Sequence, residues 1–180
     1  MSWRSGLLLL ALVTAPPRPA LAALAADHPP PLVAVFPVQV VDTSGEPPNP
    51  QWPERIVDVT HGLATKLAGS GRYRAVELAP GGARGSALLQ CAACWREPAR
   101  AAGADQAAIA AVQKMSTLIA ALHVWLIDVS TGRIVRKGAV SLRGDTEEAW
   151  RRAMDFLLRR GILDPEPRHE MLSSPFPGGG

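Results

Sequence analysis

The 180-residue chain predicts an α/β (α+β) sandwich of order β-α-β-(α)-β-β-β-α, a mixed sheet of about five strands with two main helices packed on it. Three observations predict it. A β-branched run (Leu32 to Asp42), a helical apolar stripe (Ile56, Val59, Leu63, Leu67) and a short alternating segment (Tyr73 to Leu78) follow one another as a βαβ unit. Thr117 to Leu142 reads as two long strands joined by a tight polar turn, the centre of a sheet. Trp150, Ala153, Met154, Leu157 and Leu158 then recur at the spacing of a helix with one buried face.

The chain opens with Arg4 and an apolar run, Gly6 to Val13, too short to span a bilayer as a helix. Ala20-Leu21-Ala22 closes it as a small-x-small cleavage site, so residues 1–22 are expected to be a secretory signal peptide. Pro16, Pro17 and Pro19 argue against a buried amino-terminal helix. A later cut after Ala25 would expose Ala26-Asp27-His28, a terminus able to wrap Cu(II) or Ni(II). The first cut is expected, because it lies nearer the apolar run. Residues 23–31 follow as a proline-rich linker, residues 32–163 as a single domain, and residues 164–180 as a disordered Pro/Gly-rich tail. The mature chain is expected in a periplasmic or secreted, oxidising space, with no transmembrane segment.

Within the domain, Pro37 removes a ladder donor from the first strand, so one side there is expected to be unpaired or bulged. Pro53 suits the first turn of the first helix, and Gly69-Ser70-Gly71 ends it. Ala79 to Gly85 reads as a flexible link, and Ser86 to Ala102 as a weak helical pattern interrupted by Cys91, Cys94 and Pro98. The core of Asp105 to Met115 is expected to be a strand, since a glycine flanks it and it leads straight into the hairpin. Asp128 and Gly132 supply the turn, a carboxylate for turn amides and a residue tolerant of positive φ. Asp145 and Glu148 form a D-x-x-E capping pair for the last helix. Arg159 and Arg160 occupy its last turn, and Gly161 is its expected stop.

Charge narrows the partners. The pI near 9.3 suggests an anionic ligand. Of 19 basic residues, however, Arg4 and Arg18 lie in the leader, and 16 acidic residues bring the remainder within about one charge of neutral. There is no electrostatic case for nucleic acid or a membrane surface.

The stretches 33–46 (VAVFPVQVVDTSGE), 71–80 (GRYRAVELAP), the C-x-x-C at 91–94, AGAD at 102–105 and the hairpin-helix block 122–158 together resemble a family of uncharacterised secreted bacterial proteins, a domain of unknown function. More distantly, the order is similar to the amino-terminal domain of TolB and to curli-secretion and penicillin-binding-protein-activator lipoproteins. The resemblance implies an α/β sandwich and a binding or assembly role in the envelope, with an envelope protein as partner. It brings no catalytic residues. This chain departs from the pattern in the alanine-rich QAAIAAVQK after the "GAD" turn, and it lacks a lipid-attachment cysteine after the leader.

Cys91 and Cys94 are the only cysteines. In an oxidising space they are expected first as a small structural disulfide; thiol-disulfide redox chemistry is the alternative, and metal binding the third reading. Redox chemistry would need the pair at the start of a helix that follows a strand. Zinc would need two further ligands that no motif supplies, so neither a metal nor a cofactor is expected. Asp58 and His61 share a helix face and read as solvated; His123 reads as a satisfied sheet histidine, and His169 falls in the tail. No G-x-S-x-G or Walker spacing occurs, and no catalytic residue is expected. Arg133, Arg136, Lys137 and Arg143 form a basic strand, ordinarily a solvated face, that could line a partner surface. Trp52, Trp95, Trp125 and Trp150 read as core or rim; one left exposed beside that strand would mark a binding hot spot. Oligomeric state is not legible.

Overall fold

Alternation, proline and glycine set where the strands start and stop. The computed structural model describes residues 29–79, 88 and 90–164. The expected leader, most of the linker, the link after Ala79, His169 and the tail beyond Asp164 lie outside the described residues. The elements are β1 (Leu32–Val35), β2 (Gln39–Asp42), α1 (Trp52–Gly69), β3 (Arg74–Glu77), α2 (Ala92–Ala101), β4 (Gln106–Lys114), β5 (Ile119–Asp128), β6 (Ile134–Arg143) and α3 (Glu147–Leu157), with a π-helical turn at Leu158–Ile162. They form one six-stranded mixed sheet of order β3-β1-β4-β5-β6, with β2 also paired to β4. The α/β sandwich expected from the sequence is the observed one, with a third helix, α2, where the pattern was weak.

The first expected strand is two. Pro37 has no amide to donate. Phe36 still donates to the Ala108 carbonyl at 3.0 Å, but Val38 donates instead to the Thr60 hydroxyl on α1 at 2.9 Å. β1 leaves the ladder with Val35 opposite Ala108, and β2 rejoins it with Gln39 opposite Ala111. Four steps on one strand thus match three on the other, which is a bulge of one residue. The βαβ unit holds: β1 and β3 pair in parallel, with Val33 opposite Ala75.

β4 is the centre of the sheet, and its alanines explain how it can be. Ala107 to Val112 are all buried, because helices cover both faces. On one face Ala108, Ala110 and Val112 pack under α1 and α3 with Leu63, Leu122, Trp150 and Met154. On the other, Ala107 and Ile109 pack under α2 with Phe36, Trp95 and Ala99. Small β4 side chains let Trp95 and Trp150 fill the two layers; each large buried side chain contributes about 1.5–3 kcal/mol.

Two expectations about α3 change. Its cap is Thr146, whose hydroxyl accepts from the Ala149 amide at 3.2 Å, and not Asp145. Asp145 is held elsewhere, as described below. Gly161 is no stop: the chain continues through the π-helical turn, and Gly161 lies against Gly138 of β6. A Cβ on Gly161 would fall 3.3 Å from the Gly138 Cα. The glycine is there for closeness.

Candidate functional site

The C-x-x-C pair is closed as a disulfide, Cα atoms 5.3 Å apart, at the start of α2. Cys91 is the N-cap, and its sulfur accepts from the Cys94 amide at 3.2 Å. Cys94 packs against the cluster of Trp95, Phe36 and Ile109. A helix start was one requirement for thiol-disulfide chemistry. The other, a preceding strand, is not met at the described residues, since Leu88 and Gln90 are helical.

The densest polar constellation lies where the parallel strands end, and sequence reading missed it. Asp145 accepts from the Arg55 guanidinium at 2.7 Å, Asn49 at 2.8 Å, and the indoles of Trp52 and Trp150 at 3.0 and 3.1 Å. Arg55 is buried on α1 and also donates to the Asp145 carbonyl at 2.6 Å. Beside it, buried Lys114 reaches Glu46 at 2.9 Å and Asp42 at 3.9 Å, with Trp52 beneath its ammonium at 5.4 Å. The hydrogen bond to Glu46 raises the Lys114 pKa, with the neighbouring carboxylates adding to it. The Ser44 hydroxyl and amide lower that of Asp42. Lys114 stays charged and partnered, so the group is a clamp between loop, helix and sheet with no free base or nucleophile. Its signal was parity: Lys114 continues the inward series Ala108, Ala110, Val112.

A cleft of about 270 Å³ opens between α1 and α3, lined by Asp58, His61, Lys66, Arg151 and Asp155 among others. Its wall charges are largely partnered: Lys66 with Asp155 at 3.0 Å, Arg151 with Glu147 at 3.9 Å, and His61 with Glu77 of β3 at 2.8 Å. His61 and Asp58 are exposed, as read. His123 is the correction: it is buried, stacks on Trp125 with ring centres 5.5 Å apart, and its Nε2 has no hydrogen-bond partner among the described residues. Burial lowers its pKa.

The basic strand divides in two. β6 is an edge of the sheet. Arg136 and Leu142 fall on the face of α1 and α3; Lys137 and Arg143 fall on the opposite face. Arg133, Lys137 and Arg143 are exposed, Arg136 is half-buried, and none of the four has a carboxylate partner among the described residues. Trp125, half-buried, sits opposite Lys137 across the ladder. Ile134 and Val135, at the start of the strand, are exposed too.

A sheet that is parallel on one side of β4, an antiparallel hairpin on the other and helices on both faces define an α/β sandwich of mixed topology. The chain belongs to the DUF3280 family, described as a protein of unknown function (DUF2380), which matches residues 31–162. This is the kind of family that the sequence resemblance implied. No curated protein matches the chain. Among solved structures, it is similar to the PelC dodecamer from Paraburkholderia phytofirmans (18% identity, 72% of this chain, 85% of that one, TM-score 0.50). It is also similar to the LpoB C-terminal domain from Salmonella enterica (19%, 66%, 88%, TM-score 0.46). A third is the lipoprotein GNA1162 from Neisseria meningitidis (16%, 65%, 83%, TM-score 0.47). At these identities the likeness is one of fold. No helix among the described residues is long and apolar enough to cross a membrane.

Proposed function

We propose that this protein is a non-enzymatic binding or assembly accessory of the cell envelope, a single domain of residues 32–163 exported behind the leader of residues 1–22. It engages an envelope protein through the β6 edge. The observation that carries the reading is a ten-residue edge strand whose four flanking and internal cations lack acidic partners among the described residues, with Trp125 half-open beside Lys137. Charge at an edge guards against self-pairing, and an aromatic next to unpaired cations is the composition of a binding hot spot. Affinity capture from envelope extract tests it. The wild-type domain is expected to retain a defined partner that the Lys137→Glu/Arg143→Glu variant loses; equal capture by both removes β6 from the reading.

A second reading, thiol-disulfide exchange, has one observation in its favour, the placement of Cys91 at a helix N-terminus. Cys94 packed in an apolar cluster favours a staple. A reduction potential below about −300 mV marks the staple, and one near those of exchange proteins, about −120 to −270 mV, marks the redox pair.

A further inference from the structure

Alternation along β6 fixes what its open side offers. The Gly144 amide donates to the Leu118 carbonyl at 3.1 Å, and the ladder continues with Leu142 opposite Ala120 and Val140 opposite Leu122. In an antiparallel pair, alternate residues exchange both backbone bonds. From Gly138 to Gly144 the even-numbered residues therefore commit their amides and carbonyls to β5, while Lys137, Ala139, Ser141 and Arg143 turn theirs outward. The same four carry their side chains on the face away from α3, since Gly138 and Leu142 between them pack toward it. Two cations six positions apart thus bracket a row of donors and acceptors that no hydrogen bond among the described residues engages, and neither cation has an acidic partner there.

We infer that β6 takes an extended acidic segment of its partner as an added antiparallel strand, one carboxylate opposite Lys137 and a second opposite Arg143. This rests on the binding role proposed above and names the partner's chemistry. A second copy of β6 is a poor occupant. The two-fold register that uses all four outward residues sets Lys137 opposite Arg143, and like charges directly opposed repel. A polyanion without a peptide backbone would meet the charges but leave the outward row unpaired. An acidic strand satisfies both. Alternate residues of that strand would lie beside Val140 and Leu142, so apolar side chains suit those positions.

The test uses the full mature protein and a synthetic peptide of about ten residues, rich in Val and Thr, with two glutamates six positions apart. Three competitors accompany it: the same peptide with glutamine for both glutamates, the same peptide N-methylated at the amides facing β6, and polyglucuronate of matching charge. Binding is read by NMR shift titration at low salt. The acidic peptide is expected to bind with the largest shifts along Lys137 to Arg143. The glutamine peptide should bind about tenfold more weakly, and neither the N-methylated peptide nor polyglucuronate should displace it. Ala139→Pro removes one outward amide from an edge position that tolerates proline, and should lose the peptide. If that variant fails to fold, the N-methylated peptide still decides. Equal binding by the N-methylated peptide or polyglucuronate overturns strand addition in favour of a charged patch. Absence of peptide binding, with partner capture still abolished by Lys137→Glu/Arg143→Glu, overturns strand addition and leaves the binding role intact. Capture that survives charge reversal overturns strand addition at β6 and leaves the binding role, which falls if the wild-type protein captures no defined partner.

Discussion

Single residues carry most of the unusual energetics here. Asp145 satisfies four side-chain donors at once, and one of them, Arg55, is buried. Removing one partner of a buried pair leaves a desolvated charge, so Asp145→Ala is expected to destabilise the fold by about 3–5 kcal/mol, measured by urea titration. His123 is the opposite case, a buried imidazole whose Nε2 has no partner among the described residues. Burial lowers its folded pKa, so the unfolded chain binds the proton more readily. Stability from this group is complete above its unfolded pKa, about 6.5, and declines as pH falls from there toward the folded value. His123→Leu should leave or raise stability at neutral pH and flatten that limb in a calorimetric pH series. Asp128 acts lower: hydrogen bonds from the Ser130 hydroxyl and from Thr131 hold it at about 2, against 3.8. Its contribution is present above 3.8 and is lost as pH falls toward about 2.

At the scale of elements, Gly138 and Gly161 set how closely the π-helical turn lies on β6. A Cβ on Gly138 would come 3.0 Å from the Leu157 Cδ2, while one on Gly161 meets the Gly138 backbone at 3.3 Å. Leu157 can shift a little; backbone cannot. Gly161→Ala is expected to cost about 1–3 kcal/mol, and more than Gly138→Ala, in thermal unfolding of the two variants. Such cases mark how far the sequence could be read. Helix stripes and strand alternation are local, so α1, α3, β5 and β6 were legible, while alanine-rich β4 was legible only from its flanking glycine and the hairpin it feeds. The strand break at Pro37 was half legible: the missing donor is visible in one residue, whereas the one-residue restart of β2 depends on pairing with β4. Asp145 and Gly161 misled, because each sits where a cap or stop belongs. Their true partners, Arg55 and Gly138, are distant in the chain and invisible to spacing. The cations of β6 were legible as a cluster, but their division between two faces required the register.

Across the whole molecule, one architecture serves both stability and the proposed role. α1 and α3 cover one face of the sheet, α2 with its disulfide covers part of the other, and the charge clamp around Lys114 and Asp145 ties the loop before α1 to the turn before α3. Among the described residues the outer side of β6 is unpaired, as is that of the shorter β3 at the opposite edge, and β6 carries the proposed role. Residue-resolved hydrogen exchange of the mature protein, alone and with its captured envelope partner, tests that most directly. The account predicts slow exchange at Gly138, Val140 and Leu142 in both states. It predicts fast exchange at Lys137, Ala139, Ser141 and Arg143 in the free protein, and protection of those four when the partner is bound. Protection of the outward amides in the free protein, or fast exchange there in the complex, would contradict it.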